Sequence, residues 1–286
     1  MSESLTGSTI KAQLRWASDL LYQVSCSSRL DAEVLLAHCL ERDRSYLMTW
    51  PERELDESEQ ACYRELVRRR LRPEPVAYLI GSREFFSLQL DTTPATLVPR
   101  PETEMLVEAV LDAVAGQRAP KILELGTGTG AIALAIKKHC PNCRVTATDF
   151  AADALLVAQG NARKLGIEVE FLHSDWFRSI GAGDRFDVIV SNPPYIAEHD
   201  PYLGQGDLPA EPRHALCSGE TGLEALEVIA SAAPGFLEPG GLLVLEHGWD
   251  QGAAVSDLLR KSGFEGVETR KDFNDLQRMT LGRLPA

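Results

Sequence analysis

The sequence predicts an α/β chain with a helical domain over residues 1–76, a β-hairpin linker over 77–95 and an open seven-stranded sheet domain over 96–286. Three observations carry that expectation. Apolar residues recur at helical spacing up to Pro73 and Pro75. From Lys121 onward, short apolar runs of strand length alternate with helical stretches, the pattern of βα units. One such run, Phe186 to Ser191, stops at Asn192-Pro193-Pro194-Tyr195, because neither proline can donate a ladder hydrogen bond.

The first domain opens with Ile10, Leu14, Ala17 and Leu21 on one helical face. Asp31 is placed to cap a second helix whose apolar face includes Val34, Leu35, His38 and Cys39, with His38 read as a core residue. Asp56 and Glu59 have the spacing of a capping box ahead of Cys62, Leu66 and Leu71. Arg68, Arg69, Arg70 and Arg72 read as a solvated face. Phe85, Phe86, Leu88 and Leu90 then turn strand-like around Gly81 and Ser87, giving the hairpin. Pro101 suits a helix N-terminus, with Glu102 and Glu104 favourable in its first turn, and Leu106, Val107, Val110, Leu111 and Val114 continue it.

Lys121 to Leu125 forms a first sheet strand that ends in Glu124-Leu125-Gly126-Thr127-Gly128-Thr129-Gly130, before a helix carrying Ile132, Leu134 and Ile136. Strand, glycine turn and helix together make a nucleotide-site pattern: glycines allow close backbone approach, and the helix N-terminus offers N–H groups. A second strand, Arg144 to Thr148, ends at Asp149, a carboxylate placed to accept from ribose hydroxyls or to cap the next helix. A third, Val169 to Leu172, ends near Asp175 and Trp176, which suit an adenine amino group and ring. The Asn192-Pro193-Pro194-Tyr195 strand is fourth. A loop over 198–218 reads as a functional flap on its length, with His199 and His214 as surface residues. Leu242 to Glu246 and two closing strands near Phe264–Thr269 and Arg278–Gly282 complete seven.

Composition excludes other classes. Acidic residues outnumber basic ones by 42 to 29, a formal charge of −13, which opposes a broad grip on nucleic acid. No signal-peptide core and no apolar run of membrane-spanning length is read, so a soluble cytoplasmic protein is expected. The six cysteines are scattered, only Cys140 and Cys143 have metal-like spacing, and no second pair completes a zinc site; reduced thiols and no metal are expected.

Glu124 to Gly130, Asp149 and Asn192-Pro193-Pro194-Tyr195, in that order, resemble class I S-adenosylmethionine-dependent methyltransferases with their Rossmann-like fold. Adding the helical N-terminus and Val98-Pro99-Arg100-Pro101-Glu102-Thr103-Glu104, the chain resembles the PrmC (HemK) family over about residues 10–282. Ser174-Asp175-Trp176, Asp207 with Glu211-Pro212, and Leu245-Glu246-His247-Gly248-Trp249 fit as well. The tail departs: Asn274-Asp275-Leu276-Gln277-Arg278 only partly matches the acidic residue and arginine expected before the last strand.

The resemblance implies transfer of a methyl group from S-adenosylmethionine to the side-chain amide nitrogen of glutamine in the Gly-Gly-Gln motif of class 1 peptide chain release factors. It implies cofactor contacts from Glu124, Gly126, Thr127, Gly128, Thr129, Gly130, Asp149, Asp175, Trp176 and Asn192, with Asn192, Pro193, Pro194 and Tyr195 as catalytic and substrate-binding residues. The chemistry agrees. A carboxamide nitrogen is a poor nucleophile, and a site accepting both its hydrogens orients it and raises its electron density. The Asn192 oxygen and Pro193 carbonyl are suitable acceptors, Pro194 has no competing N–H, and Tyr195 can pack on the amide plane. The same logic serves the exocyclic amine of adenine, so an N6-adenine methyltransferase is the alternative, disfavoured by the acidic composition. A silent cofactor-binding scaffold and a nicotinamide oxidoreductase leave Asn192-Pro193-Pro194-Tyr195 unexplained or idle.

Overall fold

The computed structural model describes residues 7–286. They fall into two compact units: residues up to Gly81 together with Gly204–Ala210, and Ser82–Leu203 together with Glu211–Ala286.

The first unit is helical, with α1 (Ile10–Leu21), α2 (Ser28–Cys39), α3 (Arg44–Thr49), α4 (Glu57–Arg70) and α5 (Val76–Ile80). The Asp56–Glu59 capping box forms as its spacing predicts. Ile10, Leu21, Leu35, Leu36 and Tyr63 are fully buried, and the Tyr63 hydroxyl donates to the Ala32 carbonyl at 3.1 Å. Three sequence expectations fail here. His38 is exposed rather than in the core. Asp31 is no cap: it lies inside α2 and accepts from Arg70 Nε at 2.9 Å. Arg70 is only 5% exposed and also pairs with Asp207 at 2.8 Å, while Arg68 and Arg69 pair with Glu65 and Glu74 nearer solvent. Consecutive arginines sweep around a helix at about 100° each, so a run of them cannot all face water. The thiol expectation also fails. Cys39 and Cys62 are bonded, as are Cys140 and Cys143, leaving Cys26 and Cys217 free among the described residues. Packing of α2 against α4 creates the first pair, and the turn closing a helix creates the second.

In the second unit, the hairpin β1 (Ser82–Phe85) and β2 (Leu88–Asp91) is followed by α6 (Glu104–Ala113), which Pro101 precedes in a single 3-10 turn. Then come β3 (Lys121–Leu125), α7 (Ala131–His139), β4 (Arg144–Asp149), α8 (Ala152–Leu165), β5 (Glu170–His173), β6 (Phe186–Ser191), α9 (Arg213–Leu216), α10 (Glu224–Ala232), β7 (Leu237–Glu246), α11 (Gly252–Lys261), β8 (Glu265–Lys271) and β9 (Gln277–Arg283). The seven-stranded sheet has the order β5-β4-β3-β6-β7-β9-β8, with β5 to β7 parallel and β9 antiparallel to both its neighbours.

Alternate residues of the central strands enter two cores. Ile122, Val188, Val190 and Val244 pack with α6, α7 and the hairpin residues Phe85, Leu88 and Leu90. Leu123, Leu125, Ile189 and Leu243 pack with Leu226 and Ile229 of α10 and Val255 and Leu259 of α11. A sheet covered on both faces explains why its strands read as continuous apolar runs. The chain leaves β3 toward β4 and β5, then returns to β6 on β3's other side. That reversal opens a crevice beyond the C-terminal ends of β3 and β6, where ligands bind in open α/β sheets.

Candidate active site

The β3–β6 register pairs Leu125 with Ser191, so the next residues, Gly126 and Asn192, leave the sheet side by side. A cavity of about 420 Å³ lies there. Glu124, Gly126, Thr127, Gly128, Thr129, Asp149, Asp175, Trp176, Asn192 and Pro194 line it, with Ala95, Leu97, Arg100, Thr103, Phe150 and His214 among the others. Gly130, Pro193 and Tyr195 do not line it. Gly130 stands behind the loop: a Cβ there would lie 3.0 Å from Leu134 Cδ1 and 3.3 Å from Ala158 Cβ, and its φ is +84°. Pro193 is buried, and Tyr195 points its hydroxyl away into a polar network.

The glycine loop is fixed by carboxylates and an amide. Asp149 Oδ2 accepts the Gly128 N–H at 2.8 Å, and Oδ1 accepts the Ala151 N–H at 2.8 Å. The carboxylate therefore holds the loop and the turn ahead of α8, while the helix itself is N-capped at Ala151 with no side-chain cap, so Asp149 is not the cap that its position also allowed. Asn161 of α8, fully buried, donates to the Thr129 carbonyl at 2.9 Å and exchanges bonds with both backbone groups of Asp91. Gly126 has φ +72°, and a Cβ there would face Trp176 at 3.9 Å and the Asn192 carbonyl oxygen at 4.0 Å. Trp176 itself adopts φ +49°, a conformation rare outside glycine.

Glu124 is 1% exposed. Its Oε2 accepts from Thr127 Oγ1 at 2.6 Å and the Ala133 N–H at 3.1 Å, whereas Oε1 finds no partner among the described residues. Burial pushes the carboxyl up to about 8, against the pull of those two donors and with a further push from Asp149.

A second network backs the β6 turn. Asn192 Nδ2 donates to Thr103 Oγ1 at 3.1 Å, Thr103 donates to Glu246 Oε2 at 2.7 Å, and Tyr195 donates to Glu246 Oε1 at 3.3 Å. Burial also pushes Glu246 up to about 7, with Thr103, Arg278 and Tyr195 opposing. Desolvation first, then the charge of Glu246, raises the Tyr195 phenol. Gln251 donates to the Tyr195 carbonyl at 3.0 Å. The 98–104 segment is anchored by Glu211, which accepts the Val98 N–H at 3.0 Å and pairs with Arg100. The tail's acidic partner is Asp272, two residues ahead of Asn274-Asp275-Leu276-Gln277-Arg278: Arg278 Nε donates to Asp272 Oδ2 at 3.1 Å, and Oδ1 accepts the Asn274 and Leu276 N–H groups. Sequence reasoning gave no role to Thr103, Asn161, Glu246 or Asp272; only the resemblance of the 98–104 and 245–249 segments pointed near two of them.

Comparison with known proteins is consistent along the chain. Residues 12–81 match the PrmC N-terminal domain, and residues 101–205 match the methyltransferase small domain. Release factor glutamine methyltransferases from Burkholderia pseudomallei and Bordetella pertussis are each 48% identical, covering 97% and 90% of this chain and 99% and 95% of their own. That of Vibrio cholerae is 46% identical, covering 96% of each chain. A solved methyltransferase from Pyrococcus furiosus shares the fold, with a TM-score of 0.53 over 70% of this chain and 91% of that one, at 21% identity. With that identity across nearly its whole length, the chain belongs to the release factor glutamine methyltransferase family.

Proposed function

We propose that the protein transfers the methyl group of S-adenosylmethionine to the side-chain amide nitrogen of the glutamine in the Gly-Gly-Gln motif of class 1 peptide chain release factors. The observation that carries the reading is the pairing of two features on one cavity: the glycine loop with Glu124 Oε1, unpartnered among the described residues, and the Asn192 amide. The cavity fits the cofactor chemically. A buried carboxylate oxygen without a partner suits a cationic ligand, and glycines with positive φ leave backbone room for a nucleoside. When bound, S-adenosylmethionine supplies an electrophilic methyl on a sulfonium.

The residues of this chain do the rest by binding and orientation. Glu124 and the 126–129 loop hold the cofactor's amino acid portion, Asp149 the ribose, and Asp175 with Trp176 the adenine. Gly130 supports the loop from behind through its packing on α7 and α8. Asn192 Oδ1 and the Pro193 carbonyl accept the two amide hydrogens of the glutamine, leaving its nitrogen lone pair free of competing donors, since Pro194 has none. Tyr195 stands outside the lining of the cofactor cavity, tied at its hydroxyl and carbonyl, and its ring is assigned to pack on the amide plane of the incoming glutamine. Holding nucleophile and methyl in line removes much of the entropic barrier. No base is needed before transfer, because the methylated amide nitrogen gives its extra proton to water afterwards.

The helical unit is the docking module for the intact factor, supplying selectivity that one glutamine cannot. Among the described residues no helix is long and apolar enough to cross a membrane. A cytoplasmic location is part of the same reading, and a translation-factor substrate is what supports it. Labelled S-adenosylmethionine offered with a release factor, DNA and RNA in parallel tests the assignment. Label on the factor's glutamine is expected; label on adenine alone overturns it in favour of an N6-adenine methyltransferase.

A further inference from the structure

An asparagine amide has nearly the same shape either way round, yet its two ends act oppositely on an incoming NH₂ group. The oxygen accepts from it; the nitrogen cannot. What fixes the choice is the set of bonded partners behind the amide. We propose that Thr103 and Glu246 are positioning residues that orient the Asn192 amide with its oxygen toward the acceptor glutamine. The inference rests on the glutamine-acceptor reading above.

The argument follows protons from the buried end. An ionised carboxylate only accepts, and both Glu246 oxygens are used, one by Thr103 and one by Tyr195. Thr103 has one hydroxyl proton, and it goes to Glu246. Toward Asn192 the threonine oxygen can then only accept, which selects the amide nitrogen as the atom 3.1 Å away. Asn192 Oδ1 is left for the cavity. The placement is built into the sheet: Ser191 pairs with Leu245 on the parallel strands β6 and β7, so Asn192 and Glu246 emerge together at their ends. Thr103 occupies the residue before α6, a position where threonine commonly caps, yet its side chain makes no capping bond. It reaches instead to a residue 143 positions away.

The device needs Glu246 ionised. Arg278 from β9 faces the carboxyl and favours that state, Glu102 from the 3-10 turn opposes it, and the Tyr195 phenol donates to it. The neighbouring His247 is turned elsewhere, its ring nitrogens engaged by the Gly248 carbonyl and Thr280. A protonated Glu246 that donates to Thr103 would reverse the chain of donors and turn the Asn192 nitrogen toward the acceptor. With burial holding this carboxyl near neutrality, the reversal falls within an assayable pH range.

Wild type, Thr103→Val, Thr103→Ser and Glu246→Gln are compared for cofactor dissociation constant, and for kcat and KM toward an intact release factor across pH. Valine keeps the shape without the hydroxyl, and serine restores the hydroxyl. Expected are cofactor affinities within about twofold of wild type, kcat at least tenfold lower for Thr103→Val, a smaller loss for Glu246→Gln, whose amide oxygen still accepts the Thr103 proton, and recovery of most of the Thr103→Val loss in Thr103→Ser. Wild-type kcat should fall below about pH 7, and Glu246→Gln should lose that limb. Thr103→Val with wild-type kcat and pH profile overturns the inference, as does loss of cofactor affinity in both variants, which marks a merely structural role. A wild type that is active on the factor distinguishes those failures from failure of the reading itself, which shows as no methyl on the factor's glutamine and removes the inference with it.

Discussion

The backbone N–H of Gly128 donates to Asp149 Oδ2 at 2.8 Å, joining the loop after β3 to the end of the neighbouring strand β4. The same carboxylate accepts the Ala151 N–H and so fixes the turn that leads into α8. One side chain thus shapes the cofactor loop and remains on the cavity wall. Charge-assisted hydrogen bonds of this kind contribute about 1.5–3 kcal/mol each. Replacing Asp149 with Ala should weaken cofactor binding by roughly tenfold to a hundredfold, by that same free energy. Titration calorimetry reads the effect, and an unchanged dissociation constant would remove Asp149 from the site.

Glu124 makes a pH prediction with a definite sign. Its carboxyl stands near 8 when folded, raised above its ordinary 4.5. The folded state therefore favours the protonated acid, and this contribution is full below about 4.5 and lost as pH rises toward 8. Glu124→Gln keeps a neutral side chain at every pH. Without cofactor, the variant should gain thermal stability relative to wild type as pH rises from 5 to 9. Cofactor binding should move the other way: a cationic ligand favours the ionised acid, so wild type should release protons on binding near pH 7. Calorimetry in buffers of different ionisation enthalpy measures that release, and none in wild type would contradict the account.

Two glycines of the loop should fail differently. Gly130→Ala forces a Cβ against Leu134 and Ala158 at φ +84°, and should destabilise the fold by about 1–2 kcal/mol or more. Gly126→Ala meets nothing nearer than Trp176 at 3.9 Å, but Gly126 lines the cavity, with its added Cβ 4.0 Å from the Asn192 carbonyl oxygen. Relative to its effect on melting temperature, Gly126→Ala should cost more cofactor affinity than Gly130→Ala. Equal ratios for the two would contradict the division between lining and packing roles.

The docking role of the helical unit predicts a split between substrates. Met48 and Trp50 are 64% and 57% exposed in that unit. Trp50→Ala should raise KM for the intact factor, by up to about thirtyfold if the tryptophan anchors the interface at about 2 kcal/mol. KM for a short peptide carrying Gly-Gly-Gln should not change. A parallel rise for both substrates would place the residue's effect in the catalytic unit instead.

Much of this architecture was legible because it is local. The seven strands follow from apolar runs between turn residues, and the loop from glycines at a strand end. Asn192-Pro193-Pro194-Tyr195 marks its own strand end because prolines cannot continue a ladder. What escaped depends on distant partners. Glu246 reads as the last residue of an apolar strand, and Thr103 as a helix start; only the fold joins them. Arg70 reads as solvated in the sequence because its partners, Asp31 and Asp207, lie 39 and 137 residues away. Cys39 and Cys62 likewise meet only through helix packing. His38 failed for another reason: helical periodicity defines an apolar stripe, and a residue at its margin can turn outward.

The central claim is the identity of the methylated atom. An unmethylated release factor incubated with S-adenosylmethionine and either wild type or Asn192→Ala, then digested and fragmented by mass spectrometry, reads it directly. The account predicts one added methyl on the side-chain amide of the Gly-Gly-Gln glutamine with wild type, and at least a hundredfold slower appearance with the variant. A methyl on another residue, or equal rates from the two enzymes, would contradict it.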